Sequence, residues 1–146
     1  MVPRRVDVIV YFDTSAFVKM FLVEHGSEIA KVAWETAPTT ASSLLLYPEA
    51  RSALARARRE GREVTVAPDD TPAVLDERML ASHVVTPTYR LVREAGAMAE
   101  TRALRGFDAV HLASALQTGP QTVVVTADKR LAEAAEAEGL VVLLAA

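Results

Sequence analysis

The chain has 146 residues, enough for one domain with a real core and too few for a comfortable second. Hydrophobic residues make up 51% and charged residues 24%, which excludes a disordered tail or a fibrous repeat. Sixteen Lys and Arg against nineteen Asp and Glu leave a net charge of −3, which excludes a broadly basic nucleic-acid binder; without cysteine, disulfide scaffolds and Cys-based zinc sites are excluded too.

The N-terminus carries Arg4 and Arg5 and then an apolar run that Asp7 interrupts. The unbroken part, Val8 to Phe12, is far shorter than the roughly 20 residues that span a bilayer and shorter than a secretory core. The expectation is a soluble, untargeted, cytoplasmic protein with no membrane partner, organised as a single domain over residues 1–146.

In chain order, Val6 to Phe12 is rich in β-branched and aromatic residues and stops at Asp13-Thr14-Ser15, three helix-capping types, so a strand feeds a helix. Gly26 opens a second helix through Trp34, closed by Pro38, and Thr39 to Ala41 reads as a brief strand. A long helical pattern then runs from Ser43 to Gly61, either starting at Pro48 or kinked there. Asp69 and Asp70 cap a helix from Thr71 to Ser82, Val84 to Thr86 is β-prone, and Thr88 to Leu104 is helical. Gly106-Phe107-Asp108 breaks that helix and starts an almost wholly apolar one, Ala109 to Leu116. Thr122 to Thr126 reads as a buried strand, Asp128 to Glu138 as a helix, and Leu140 to Leu144 as the last strand. Continuously apolar strands alternating with helices predict a three-layer α/β sandwich: a central parallel sheet of four or five strands with helices on both faces.

In an open parallel sheet, sites form outside the carboxyl ends of the strands. Asp13 and Asp128 each follow a strong strand and precede a helix, and Asp108 starts the most apolar helix. Singly, each is accounted for as an N-cap worth about 1 kcal/mol. Glu49, among Leu44, Leu45, Leu46, Ala50, Ala53 and Leu54, either complements the dipole of a helix that begins at Pro48 or faces something it binds. Taken together, three or four carboxylates at one rim would repel, and would either protonate or bind a cation. All-oxygen ligands select Mg²⁺ or Mn²⁺, ions suited to hydrolysing a phosphodiester of RNA or DNA.

Four blocks then resemble the PIN-domain ribonucleases, and among them the VapC toxins of bacterial type II toxin–antitoxin modules. They are Val10 to Lys19 around Asp13-Thr14-Ser15, Ser43-Leu44 with Pro48 to Leu54, Phe107 to Ala115 around Asp108-Ala109-Val110-His111-Leu112-Ala113, and Thr126 to Leu131. The likeness covers nearly the whole chain. It implies a PIN-like fold, a Mg²⁺- or Mn²⁺-dependent endoribonuclease acting as a toxin, a cognate antitoxin that blocks the site, and a homodimer. Asp13 and Asp108 match the family's principal metal ligands, and Glu49 and Asp128 its other two acids. Thr14, Ser15 and Thr126 match polar positions that would orient ligands or waters, with ordinary capping equally open. Proline at 48, where many relatives carry another residue, leaves the aim of Glu49 open.

His111, three residues after Asp108, shares its helix face; a structural or ligand-orienting role is expected, since metal-assisted hydrolysis needs no imidazole. Arg51, Arg56, Arg58, Arg59 and Arg62 crowd one helix with only Glu60 opposing, so Arg51, Arg58 and Arg59, with Lys19, could track an RNA backbone or meet an acidic antitoxin segment, or simply form a solvated helix end. Trp34 and Tyr47 are expected to pack instead of stacking on bases, and His25 and His83 to lie at the surface. The competing functions are a catalytically degenerate PIN-like module that binds RNA or protein, and a haloacid-dehalogenase-like phosphohydrolase, which wants an Asp where Ser15 stands.

Overall fold

The computed structural model describes residues 8–146. Arg4, Arg5, and the Val6 and Asp7 start of the expected first strand lie outside the described residues. Five strands form one parallel sheet in the order β3-β2-β1-β4-β5, where β1 is Ile9–Phe12, β2 Thr39–Ser43, β3 His83–Val85, β4 Thr122–Thr126 and β5 Val141–Leu144. The helices are α1 (Thr14–Lys19), α2 (Ser27–Thr36), α3 (Leu46–Arg59), α4 (Thr71–Leu80), α5 (Tyr89–Arg102), α6 (Gly106–Gln117) and α7 (Lys129–Ala137), with a 3₁₀ turn at Pro68–Asp70. None is long and apolar enough to cross a membrane.

Alternation along β1 divides the core. Val10 and Phe12 join a cluster with Phe17, Leu46, Leu54 and Leu75 from α1, α3 and α4, whereas Tyr11 joins one with Leu91, Leu112 and Leu131 from α5, α6 and α7. Both faces of the sheet are thus covered, as a parallel sheet requires. Helix α6 lies between the sheet and its neighbours α5 and α7, and its residues Ala109 through Ala115 are all buried, which explains a helix with almost no polar side.

The chain leaves β1 toward β2 and β3, and later returns to β1's other side as β4. The strand order therefore reverses at β1–β4, and loops at such a switch point leave a crevice at the carboxyl ends of the strands. The structure moves several element ends. Thr39-Thr40-Ala41 extends to Ser43, a polar strand that is nevertheless buried, with the Thr40 and Ser82 hydroxyls bonded at 2.8 Å. Pro48 sits in the first turn of α3, where its missing N–H leaves nothing unmade. The break expected at Gly106-Phe107-Asp108 is already the first turn of α6, because Arg105 holds the extended N-cap conformation.

Gly26, which precedes α2, has φ +90°, and a Cβ there would overlap the Ala145 carbonyl. Gly26→Ala is accordingly expected to destabilise by about 1–3 kcal/mol, read by urea unfolding.

Candidate active site

The Asp13 backbone N–H bonds the Val125 carbonyl (3.3 Å), which ties the end of β1 to β4. Its carboxylate caps α1 and is only 3% exposed. It accepts from the Ala16 N–H (2.9 Å), from the Ser15 hydroxyl (2.8 Å to each oxygen) and from the Thr126 hydroxyl (2.6 Å). Burial pushes its pKa above the ordinary value against the pull of His111 and these donors. Thr126 Oγ1 also accepts from the Asp128 N–H (3.0 Å), so one hydroxyl links the acids that follow two adjacent strands. Thr126→Val, isosteric but lacking both bonds, should lower stability by about 1–3 kcal/mol in urea unfolding, because the buried Asp13 carboxylate loses one donor and the Asp128 N–H its acceptor.

Asp128 caps α7, accepting from the Arg130 N–H (2.9 Å) and the Leu131 N–H (3.4 Å). Asp108 has no such duty. It sits in the first turn of α6, half-buried, and its carboxyl is pushed above the ordinary value by burial and then by the carboxylates of Asp128 and Asp13. Asp108 therefore feels both other aspartates, although Asp13 and Asp128 lie 115 positions apart in the chain (128 − 13).

Glu49 projects from the first turn of α3 into a separate bonded group. Its Oε1 accepts from the Thr14 hydroxyl (2.9 Å) and contacts His111 Nε2 (2.9 Å), while Tyr11 Oη contacts His111 Nδ1 (2.8 Å). Burial raises the Glu49 pKa, but the bond and charge of His111, with the Thr14 bond, bring the net value below the ordinary one. Tyr11 was not legible from the sequence as part of this group. Its only signal is an aromatic hydroxyl inside a buried strand, a polar atom that must find a partner.

Among the described residues, no three His, Cys, Asp or Glu side chains are drawn tightly enough together to hold a metal ion. The donor chemistry nonetheless fits a hard divalent cation. Asp13, Asp108 and Asp128 offer carboxylate oxygens, and the charges of Asp128 and Asp13 add to burial in lifting Asp108, a repulsion that a cation would relieve.

A cleft of about 640 Å³ runs from Thr14 and Glu49 along α3 past Ser52 and Arg56 to Arg62, with Phe107 also lining it. The basic residues divide by their partners. Lys19 pairs with Glu24 (3.0 Å) and bonds the His25 carbonyl, and Arg58 bonds the Val66 carbonyl (2.8 Å) and Thr71 (2.9 Å), so both brace loops. Arg56 and Arg62 pair with Glu60 and Glu24. Arg51, stacked toward Tyr47, and Arg59 are exposed and make no ion pair among the described residues. Trp34 packs against Phe12, Phe17 and the Arg78 guanidinium.

A parallel sheet with acids crowding the carboxyl ends of its two central strands is the architecture of one nuclease class. The chain belongs to the PIN-domain family, whose model matches residues 10–137. Within that family its sequence lies with the VapC ribonucleases: it is 42% identical over 132 residues to Ribonuclease VapC49 of Mycobacterium tuberculosis, a match covering 90% of this chain and 92% of the relative. The fold is similar to that of the solved M. tuberculosis VapC20, described as a Sarcin-Ricin loop cleaving toxin (TM-score 0.67, 21% identity, 90% of this chain and 96% of that one). A toxin-antitoxin complex from Klebsiella pneumoniae contains another similar chain (TM-score 0.64, 19% identity, 94% and 98% covered).

Proposed function

We propose that the chain is a divalent-metal-dependent endoribonuclease and the toxin of a toxin–antitoxin pair, with Asp13, Asp108, Glu49 and Asp128 as its catalytic acids. The observation that carries this is the pair Asp13 and Asp128 at the ends of β1 and β4, joined through the Thr126 hydroxyl, with Asp108 near enough to feel both charges and Glu49 bonded to Thr14, the residue after Asp13. Asp13 and Asp108 would hold Mg²⁺ or Mn²⁺, with Glu49 and Asp128 completing the acidic set. When bound, such an ion lowers the pKa of a water and offsets charge gathering on the phosphoryl oxygens. Ser15 and Thr126 keep the Asp13 carboxylate from turning, and Thr14 does the same for Glu49. The cleft along α3 would carry the RNA strand, with Arg56 and Arg62 in its lining and Arg51 and Arg59 exposed outside it on the same helix.

The partners follow the same reading. An antitoxin is proposed because the chain's relatives are VapC ribonucleases and a similar chain occurs in a toxin-antitoxin complex. A homodimer is proposed from the apolar groove between α5 and α6, lined by Val92, Gly96, Phe107 and Val110, and is expected as twice the chain mass in light scattering. The cytoplasm is the proposed compartment.

The test of activity is sequencing of RNA ends after brief induction, comparing the chain with its Asp108→Asn variant. New ends dependent on Asp108 support the reading, and full cleavage in EDTA overturns it. A second reading is a catalytically silent module that binds RNA or protein, since the Asp13 and Asp128 carboxylates already serve as helix caps. Calorimetry that detects no Mn²⁺ binding would select it.

A further inference from the structure

We propose that Tyr11 and His111 are positioning residues that fix the Glu49 carboxylate with Oε1 fully occupied by this chain's own donors, leaving Oε2 as the oxygen for a divalent cation. The inference rests on the metal-dependent reading above and adds how one of its acids is aimed.

Four elements meet in this group: β1 gives Tyr11, α1 gives Thr14, α3 gives Glu49 and α6 gives His111. The Tyr11 side chain is fully buried and His111 is 2% exposed, so neither can exchange its partners for water. With the ring neutral and Glu49 ionised, the Tyr11 hydroxyl donates to Nδ1 (2.8 Å), which puts the ring proton on Nε2, within reach of Glu49 Oε1 (2.9 Å) and of Thr14 Oγ1 (3.2 Å). The Thr14 hydroxyl donates to Glu49 Oε1 (2.9 Å). Glu49 Oε2 has no hydrogen-bond partner among the described residues.

The asymmetry matters because a glutamate on the first turn of an uncapped helix is otherwise a loose ligand. α3 has no side-chain N-cap, and Pro48 just before Glu49 offers no N–H. Hydrogen-bonded neighbours behind a ligating carboxylate are what orient it toward a metal. Here the buried imidazole supplies such a bond to Glu49. The group also lies where the cleft begins, since Thr14 and Glu49 line its inner end.

The test is Mn²⁺ titration by calorimetry on the whole chain, with RNA cleavage measured in parallel and circular dichroism to verify folding. His111→Leu is expected to weaken Mn²⁺ binding about tenfold, and His111→Gln, whose amide can still donate near the Nε2 position, to recover most of it. Tyr11→Phe, which frees the tautomer, should lose about two- to tenfold. In a Glu49→Gln background His111→Leu should have no further effect, and in cleavage kcat should fall with KM for RNA little changed. Equal losses in both backgrounds, or no loss in His111→Leu, would overturn the inference while leaving the metal-dependent reading intact. Coupled Mn²⁺ binding without RNA cleavage would overturn the proposed activity alone. A wild-type chain that binds no Mn²⁺ would overturn both.

Discussion

Asp108→Asn is expected to abolish RNA cleavage, by more than about 10²-fold, and at the same time to stabilise the metal-free protein. The first effect follows from removing a carboxylate meant to hold a cation that supplies several kcal/mol of charge stabilisation. The second follows from the surroundings of Asp108. Its carboxyl is raised above the ordinary 3.8 by burial and by two neighbouring carboxylates, and it caps no helix whose loss would offset the relief. A raised carboxyl pKa means that the folded chain prefers the protonated form. That contribution is fully present below 3.8 and is lost as pH rises through the folded value. At neutral pH the wild type therefore carries an electrostatic penalty that an amide does not. Thermal unfolding in EDTA at pH 7 should show the variant higher by about 1–3 °C, a small shift because the group is half exposed to screening solvent. The gap should close toward pH 3 and shrink when Mn²⁺ is added to the wild type at pH 7. A variant less stable than wild type at pH 7 would contradict the repulsion on which the site is built.

Phe17→Ala should be the most damaging single truncation away from the acids, at about 3–5 kcal/mol in urea unfolding. Phe17 is 1% exposed and meets Trp34 edge-on (centroids 5.8 Å apart) and Phe21 at 5.4 Å. Its helix, α1, has only six residues, too short to persist on backbone bonds alone, so the buried Phe17 face is what holds it. Because Thr14 and Ser15 ride on the same turn, the variant should also lose cleavage under conditions where it is still mostly folded. That is measured as specific activity per folded molecule.

The sequence made some of this legible and hid the rest for physical reasons. β1 and β4 announce themselves because both lie at the sheet centre and are covered on two sides, so their residues are continuously β-branched or aromatic. β2 hides behind Thr and Ser whose hydroxyls are satisfied by residues far away, such as Ser82. Asp13 and Asp128 read as caps and are caps; the capping role neither excludes nor reveals the shared crevice. Gly106 resembles a break in one dimension, which sets the expected start of the apolar helix at Ala109, although in the fold the glycine opens α6. Lys19 and Arg58 look like free cations in one dimension, and only the folded loops supply the Glu24, Val66 and Thr71 atoms that engage them. The bond between Glu49 and His111 joins residues 62 positions apart and leaves no local trace.

The reversal of strand order at β1–β4 has a consequence for the birth of the molecule. Asp13 and Glu49 are made before β4, which ends at Thr126 and is followed by Asp128, and β1 has no second neighbour until β4 arrives. Until residue 128 has emerged, the chain holds half a crevice, without the aspartate that follows β4. Closure of the crevice thus waits until the polypeptide can complete the centre of its own sheet.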